Sequence, residues 1–198
     1  MNAPGMPQAQ GLYDPTHEHD SCGVGFIVHL KGKRSHQIVR DGLLALENLN
    51  HRGACGCEVN TGDGAGILIQ TPDEFFRHEC AQLGIHLPEA GEYGVGLLFA
   101  PKHDADRQRA QALFLSIVAE EEQLFLGWRD VPTDSTAADV GPSALAVEPT
   151  MLHAFVGRGP NVPDQDAFER RLYVIRKRYE KAIERSGIDG AAGVYFPS

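Results

Sequence analysis

His19-Asp20-Ser21-Cys22-Gly23-Val24-Gly25-Phe26 places a cysteine–glycine step at the mouth of an apolar run, behind a short polar leader. A thiol at neutral pH is mostly protonated, so a working cysteine needs a neighbouring base or positive charge. A cysteine that leads a chain carries its own base. Cutting the peptide bond before Cys22 frees an α-amine with an ordinary pKa of about 7.7 to 8.0, near the pH at which a general base is most effective. Gly23 and Gly25 keep the backbone beside the sulfur free of side chains and open to an approaching carbonyl. A free cysteine at a strand start is also a common inert core residue. The stretch alone leaves both readings open.

Working outward, residues 24–30 are apolar and rich in β-branched and aromatic side chains, which predicts a buried strand, and Lys31-Gly32-Lys33-Arg34 makes the turn. Ser35 is the expected N-cap of a helix to about Asn50, with Val39, Leu43, Leu46 and Leu49 on one face. Seven strand residues rise roughly 23 Å and about fifteen helical residues return roughly 22 Å. A strand out and a helix back therefore bring His51-Arg52-Gly53 towards Cys22. Arg52 is the first polar residue to place in the site: a permanently charged guanidinium lowers a nearby thiol pKa, fixes a loop through backbone carbonyls, or meets a carboxylate. An arginine facing the carbonyl end of a helix is the equally good bland reading. His51 reads as structural, bonding the last helical carbonyls.

Thr61-Gly62-Asp63-Gly64-Ala65-Gly66 lacks the lysine and hydroxyl ending of a phosphate loop and precedes an expected strand, 67–70, instead of a helix. It reads as a turn packing backbone closely against the Cys22 strand. Further elements are a helix from Pro72 to about Leu83, a strand over 93–100, a helix over 104–122 ending in the solvated run Glu120-Glu121-Glu122, and a strand over 124–131. Residues 145–156 read as mostly extended and broken at Pro149. Asp164 or Asp166 opens a long helix with Phe168, Leu172, Ile175, Tyr179 and Ile183 on one stripe, closed by Gly187. Its interspersed Arg, Lys and Glu residues read as a solvated face. Residues 193–198 begin a strand that nothing in the sequence goes on to cover.

At 198 residues the chain suits one domain with a substantial core, and its 42% apolar content fits a globular protein. A formal charge of −9 argues against a nucleic-acid or anionic-membrane partner, and no apolar run approaches the roughly 20 residues needed to cross a bilayer. Residues 1–21 hold no lysine or arginine and no apolar core, so they are not a secretory signal. With four cysteines in a chain this long, a disulfide scaffold is not expected and the cytoplasm is the expected compartment. Cys55-Gly56-Cys57 lacks the two-residue gap of a zinc knuckle and reads as a loop; Cys80 falls in a helical pattern and reads as core.

Taken together, Leu12-Tyr13-Asp14-Pro15, Asp20-Ser21-Cys22-Gly23-Val24-Gly25, His51-Arg52-Gly53-Ala54 and Thr61-Gly62-Asp63-Gly64-Ala65-Gly66 resemble the amino-terminal region of the glutamate synthase large subunit. Leu126-Gly127-Trp128-Arg129-Asp130-Val131-Pro132 and the helix Arg170-Arg171-Leu172-Tyr173-Val174-Ile175-Arg176-Lys177-Arg178 are similar to it too, so the likeness spans essentially the whole chain. The resemblance implies a class II glutamine amidotransferase domain, an α+β N-terminal-nucleophile (Ntn) hydrolase built as a four-layer αββα sandwich and here incomplete at the C-terminus. Residues 1–21 would be the propeptide and 22–198 the partial domain. Cys22 would be the nucleophile with its own α-amine as base, and Arg52, of the family's HRG motif, would take a positioning role. The substrate implied is L-glutamine. No cofactor or metal is expected in this chain; FMN and an iron–sulfur cluster belong to the synthase region that the chain lacks. The implied partners are that C-terminal part of the large subunit and a small reductase subunit, with no nucleic acid and no membrane.

In the family an asparagine–glycine pair forms the oxyanion hole, and an arginine and an aspartate recognise glutamine; all come later in the domain and find no match here. One preorganised oxyanion donor is typically worth about 10² to 10³ in rate. An inactive structural or interaction fragment and a different Ntn amide hydrolase are the alternatives, the second disfavoured by Arg52 and the 61–66 motif.

Overall fold

The computed structural model describes residues 10–11, 23–49, 58, 60–62 and 64–197. The chain divides into two compact units, Met1–Leu68 and Ile69–Ser198.

In the first unit the described residues hold one helix, α1 (His36–Asn48). Ser35, in extended backbone, caps it as expected: its Oγ accepts the Gln37 amide hydrogen at 3.1 Å. The turn before it depends on Gly32, which takes a φ of +64° that side chains disfavour and donates its N–H to the His29 carbonyl at 2.8 Å. His29 Nδ1 also accepts the Lys31 amide at 3.1 Å. The expected strands over 24–30 and 67–70 do not form. Val24 and Leu30 are each 97% exposed and Phe26 90%, and both segments are irregular. An apolar run becomes a strand only when another backbone supplies the ladder, and no described residue pairs with either segment.

The second unit runs α2 (Asp73–Gln82), β1 (Tyr93–Ala100), α3 (Asp104–Glu120), β2 (Leu124–Asp130), α4 (Pro142–Val147), β3 (Thr150–Gly157) and α5 (Gln165–Glu184), then a 3₁₀ turn at Ala191–Gly193. The three strands form one sheet in the order β1-β3-β2, with β3 antiparallel to both neighbours. β1 and β2 are therefore parallel, joined through α3, and split by the strand that comes last: a split βαβ unit. The stretch expected to be extended from 145 instead divides. Gly141-Pro142 opens a short helix, with proline at a position where its missing N–H is no loss, and the strand begins only at Thr150.

Side-chain alternation assigns the two faces. Leu98, Leu152, Ala154 and Val156 point towards α3 and α5, where Ala110, Phe114, Ile175, Tyr179 and Ile183 meet them in one buried cluster. Phe114 is central to it, its ring centroid 5.3 Å from Trp128, 5.5 Å from Tyr179 and 5.2 Å from Phe196. On the opposite face Phe155 and Tyr93 pack against Phe76 and Cys80 of α2, so Cys80 is core, as expected. A register shift between Phe125 and Gly127 inserts a bulge in β2. It lets Phe125 and Trp128, three residues apart, share the α3/α5 face with centroids 5.2 Å apart.

The helix over 165–184 is capped by Asp164, whose Oδ1 accepts the Ala167 N–H at 2.7 Å, and all five residues of the expected stripe are buried or packed against the core. The acidic run after α3 is not simply solvated. Glu121 receives Arg171 at 2.6 Å and Arg178 at 2.7 Å, and Arg178 also pairs with Glu120. Burial alone would raise the Glu121 pKa, but hydrogen bonds from the two guanidinium groups bring it below the ordinary carboxylate range. The described residues thus give mixed helix and sheet; the second sheet of a four-layer sandwich is not among them.

Where α3 hands over to β2, Glu122 takes a φ of +56° and Gln123 is buried. Gln123 donates through Nε2 to the Glu121 carbonyl at 2.8 Å and accepts the Gly159 N–H at 2.9 Å, so one side chain ties the α3–β2 corner to the end of β3.

Candidate active site

Cys22 and Arg52 lie outside the described residues, as do His51, Gly53, Ala54, Cys55, Cys57 and Asp63. The described residues on either side of them do meet. A Cβ placed on Gly23, the residue after Cys22, would stand 3.0 Å from a Leu49 methyl carbon, three residues before Arg52. In place of the expected strand and helix, an irregular leg and α1 bring Gly23 and Leu49 together. Leu49 caps α1 with its N–H on the Ala45 carbonyl at 3.1 Å.

The glycine-rich stretch is anchored at its start. Thr61 donates its hydroxyl to Glu58 Oε2 at 2.8 Å and its N–H to the Glu58 carbonyl at 3.2 Å. Ile67, just past the stretch, comes within 4.0 Å of the Cβ position of Gly42 in the middle of α1. The close backbone packing expected of the glycines is not found at Gly64 and Gly66, where an added Cβ would meet nothing within 4 Å.

A second polar group, which periodicity does not reveal, sits on the α2 face of the sheet. Arg129, 7% exposed, donates to Glu79 at 2.6 Å, lies 3.4 Å from His153 Nδ1 across the strand pair, and stacks over Phe75 at 5.4 Å. His153 also meets the Phe76 ring edge-on at 5.2 Å. The signal available beforehand was one charged residue at an inward position of β2, but the cross-strand partner follows only from register. Burial first, and the Arg129 charge second, push the His153 pKa below its ordinary 6.5. Burial raises the Cys80 thiol, with Arg129 opposing, so Cys80 is a packing residue and not a nucleophile.

The linkage sign for His153 is definite. At pH values between its depressed folded pKa and 6.5 the unfolded chain binds a proton that the folded chain refuses. The stabilisation from neutral His153 is full above 6.5 and is lost as pH falls from there through the folded pKa. Urea midpoints should decline over that window, and His153→Gln should flatten the decline; an equal slope in the variant would sink the assignment.

Among the described residues no group of three or more His, Cys, Asp or Glu could hold a metal ion, and no helix is long and apolar enough to cross a membrane.

The sequence pattern described as "Glutamine amidotransferases class-II" covers residues 22–198, and the chain belongs to that family. Within it, the chain is 44% identical over 193 residues to the large chain of NADPH-dependent glutamate synthase of Bacillus subtilis, across 98% of this chain and 12% of that one. It is 44% identical over 184 residues to the NADH glutamate synthase of Schizosaccharomyces pombe, across 90% of this chain and 9% of that one. It is 38% identical over 192 residues to the chloroplastic ferredoxin-dependent glutamate synthase 2 of Arabidopsis thaliana, across 97% and 12%. The chain therefore spans about a tenth of the length of these relatives.

Proposed function

We propose that this chain is the glutamine-hydrolysing part of a glutamate synthase, with Cys22 as the nucleophile once residues 1–21 are removed. The observation that carries the reading is the continuous family match from residue 22 to residue 198. The Gly23–Leu49 contact supports it, since it joins the two segments that flank Cys22 and Arg52.

In the proposed reaction the Cys22 thiolate attacks the side-chain amide carbon of glutamine and the carbonyl electron pair moves onto oxygen. As the tetrahedral intermediate collapses, the amide nitrogen takes a proton from the α-ammonium group of Cys22 and leaves as ammonia. Water then attacks the thioester and gives a proton back to the α-amine. The thiolate departs and glutamate is released. Arg52 positions the loop beside the nucleophile. The oxyanion donors and the glutamine-binding arginine and aspartate belong to further parts of the longer protein. There ammonia meets 2-oxoglutarate in a region holding FMN and an iron–sulfur cluster, served by a reductase subunit, in the cytoplasm. The proposed fold is the four-layer αββα sandwich.

Electrospray mass after mild treatment with 6-diazo-5-oxo-L-norleucine, a glutamine-mimicking electrophile, tests the reading. The expected species lacks residues 1–21 and carries one adduct on Cys22. A chain that keeps residues 1–21 and stays unlabelled would overturn the assignment of nucleophile and substrate to this chain.

A further inference from the structure

The dipeptide Asp-Gly occurs at Asp41-Gly42, Asp63-Gly64 and Asp189-Gly190. At such a pair a backbone nitrogen readily reaches the preceding side-chain carboxyl, because glycine has no Cβ to obstruct the rotation that closes the ring. Asp63 lies outside the described residues, and the structure sets the other two pairs in opposite situations.

Asp189 and Gly190 are the middle residues of a turn closed by the Ala191 N–H on the Ile188 carbonyl at 3.3 Å. Gly190 takes a φ of +72°, and both residues are exposed. The Gly190 N–H donates to Asp189 Oδ1 at 3.0 Å, so the nitrogen faces the carboxyl group of its own neighbour. Ile188 before the turn and Val194 after it are both buried in the core. Asp41-Gly42, in contrast, lies inside α1, where the Gly42 N–H points at the carbonyl four residues back. The Asp41 carboxylate is turned the other way, accepting from the Gln37 side-chain amide at 2.6 Å.

We propose that Asp189 is a site of spontaneous covalent modification, at which the turn rearranges aspartate to L-isoaspartate. The Gly190 nitrogen attacks Cγ of the neutral carboxyl group. The nitrogen's proton and the carboxyl hydroxyl leave as water, closing a five-membered succinimide. Water then adds to a ring carbonyl. When the bond from nitrogen to the main-chain carbonyl carbon breaks, the nitrogen regains a proton, the chain runs through Cγ and an α-carboxylate is freed. One water leaves and one enters, so the composition is unchanged. The product adds one carbon to the backbone between the buried anchors Ile188 and Val194. As a substrate it is an L-isoaspartyl α-carboxylate, the group that a repair methyltransferase esterifies with S-adenosylmethionine.

Ageing the whole folded chain at neutral pH in heavy-oxygen water, followed by trypsin, tests the assignment. Cleavage puts Asp189 in the peptide 186–198 and Asp41 in the peptide 41–52. The expected product is a methyl-accepting isomer of 186–198 that carries one heavy oxygen. It should form at least about tenfold faster than its counterpart in 41–52, since Asp41 must first leave the helix. In urea the two rates should come within about threefold of each other, because the dipeptide is the same once the fold is gone. Asp189→Glu, whose longer side chain disfavours the five-membered ring, should abolish methyl acceptance in 186–198. Comparable rates in the folded chain, faster conversion at Asp41, or a ratio unchanged by urea would overturn the proposal. So would methyl acceptance that survives Asp189→Glu.

Discussion

Cys22→Ser is expected to reduce glutamine-dependent ammonia release from the processed protein by a factor on the order of 10³ or more, the scale seen when a nucleophile is removed from a catalytic unit. A serine hydroxyl beside the same α-amine is a far weaker nucleophile at neutral pH than a cysteine, part of which is already thiolate. Coupled measurement of ammonia checks the size of the loss, and loss of the diazo-oxo-norleucine adduct shows that it arises at this residue. Cys55→Ser is the paired control, expected to keep turnover near normal. Undiminished turnover in Cys22→Ser would refute the nucleophile.

Gly159→Ala is expected to produce the largest loss of stability. A Cβ there would lie 1.9 Å from the Glu122 carbonyl oxygen, which is backbone and cannot swing aside. The corner is held by Gln123, so any shift that relieves the overlap also strains the bond from the Gly159 N–H to the Gln123 side chain, a buried pair. Overpacking without a flexible neighbour costs about 3 kcal/mol. For a domain of this size that corresponds to a drop in melting temperature of roughly 6–12 °C. Gly193→Ala, where an added Cβ meets nothing within 4 Å, should change stability by no more than about 0.5 kcal/mol. Equal melting temperatures for the two variants would show that the corner is not rigid.

The helices were legible because their signals are local. Ser35 and Asp164 cap as their side chains predict, and the stripe from Phe168 to Ile183 needs only a period of 3.6. Strands proved legible only where the chain supplies a neighbour. β1 and β2 were visible from their apolar residues, whereas equally apolar runs over 24–30 and 67–70 stay irregular among the described residues. The helix at Pro142–Val147 carried a usable signal, a proline at its start behind Gly141, that the apolar run downstream obscured. The bulge at Leu126 breaks simple alternation, because no single residue there announces that Phe125 and Trp128 will face the same way. Cys22 and Arg52 were singled out by motif and lie outside the described residues. The trio Glu79, Arg129 and His153 was not legible, since it depends on which of two strands lies beside the third.

The strand order has a consequence for how the chain is made. β1 and β2 are complete by Asp130 and are not neighbours in the sheet, since β3, which ends at Gly157, lies between them. A nascent chain emerging from the ribosome can form α2 and α3 early, but no sheet hydrogen bond is available to it until the middle strand has followed. Until then the apolar faces of both earlier strands stay uncovered by strand pairing, and the interval of synthesis between Asp130 and Gly157 is when this unit is most exposed to capture by other unfolded chains.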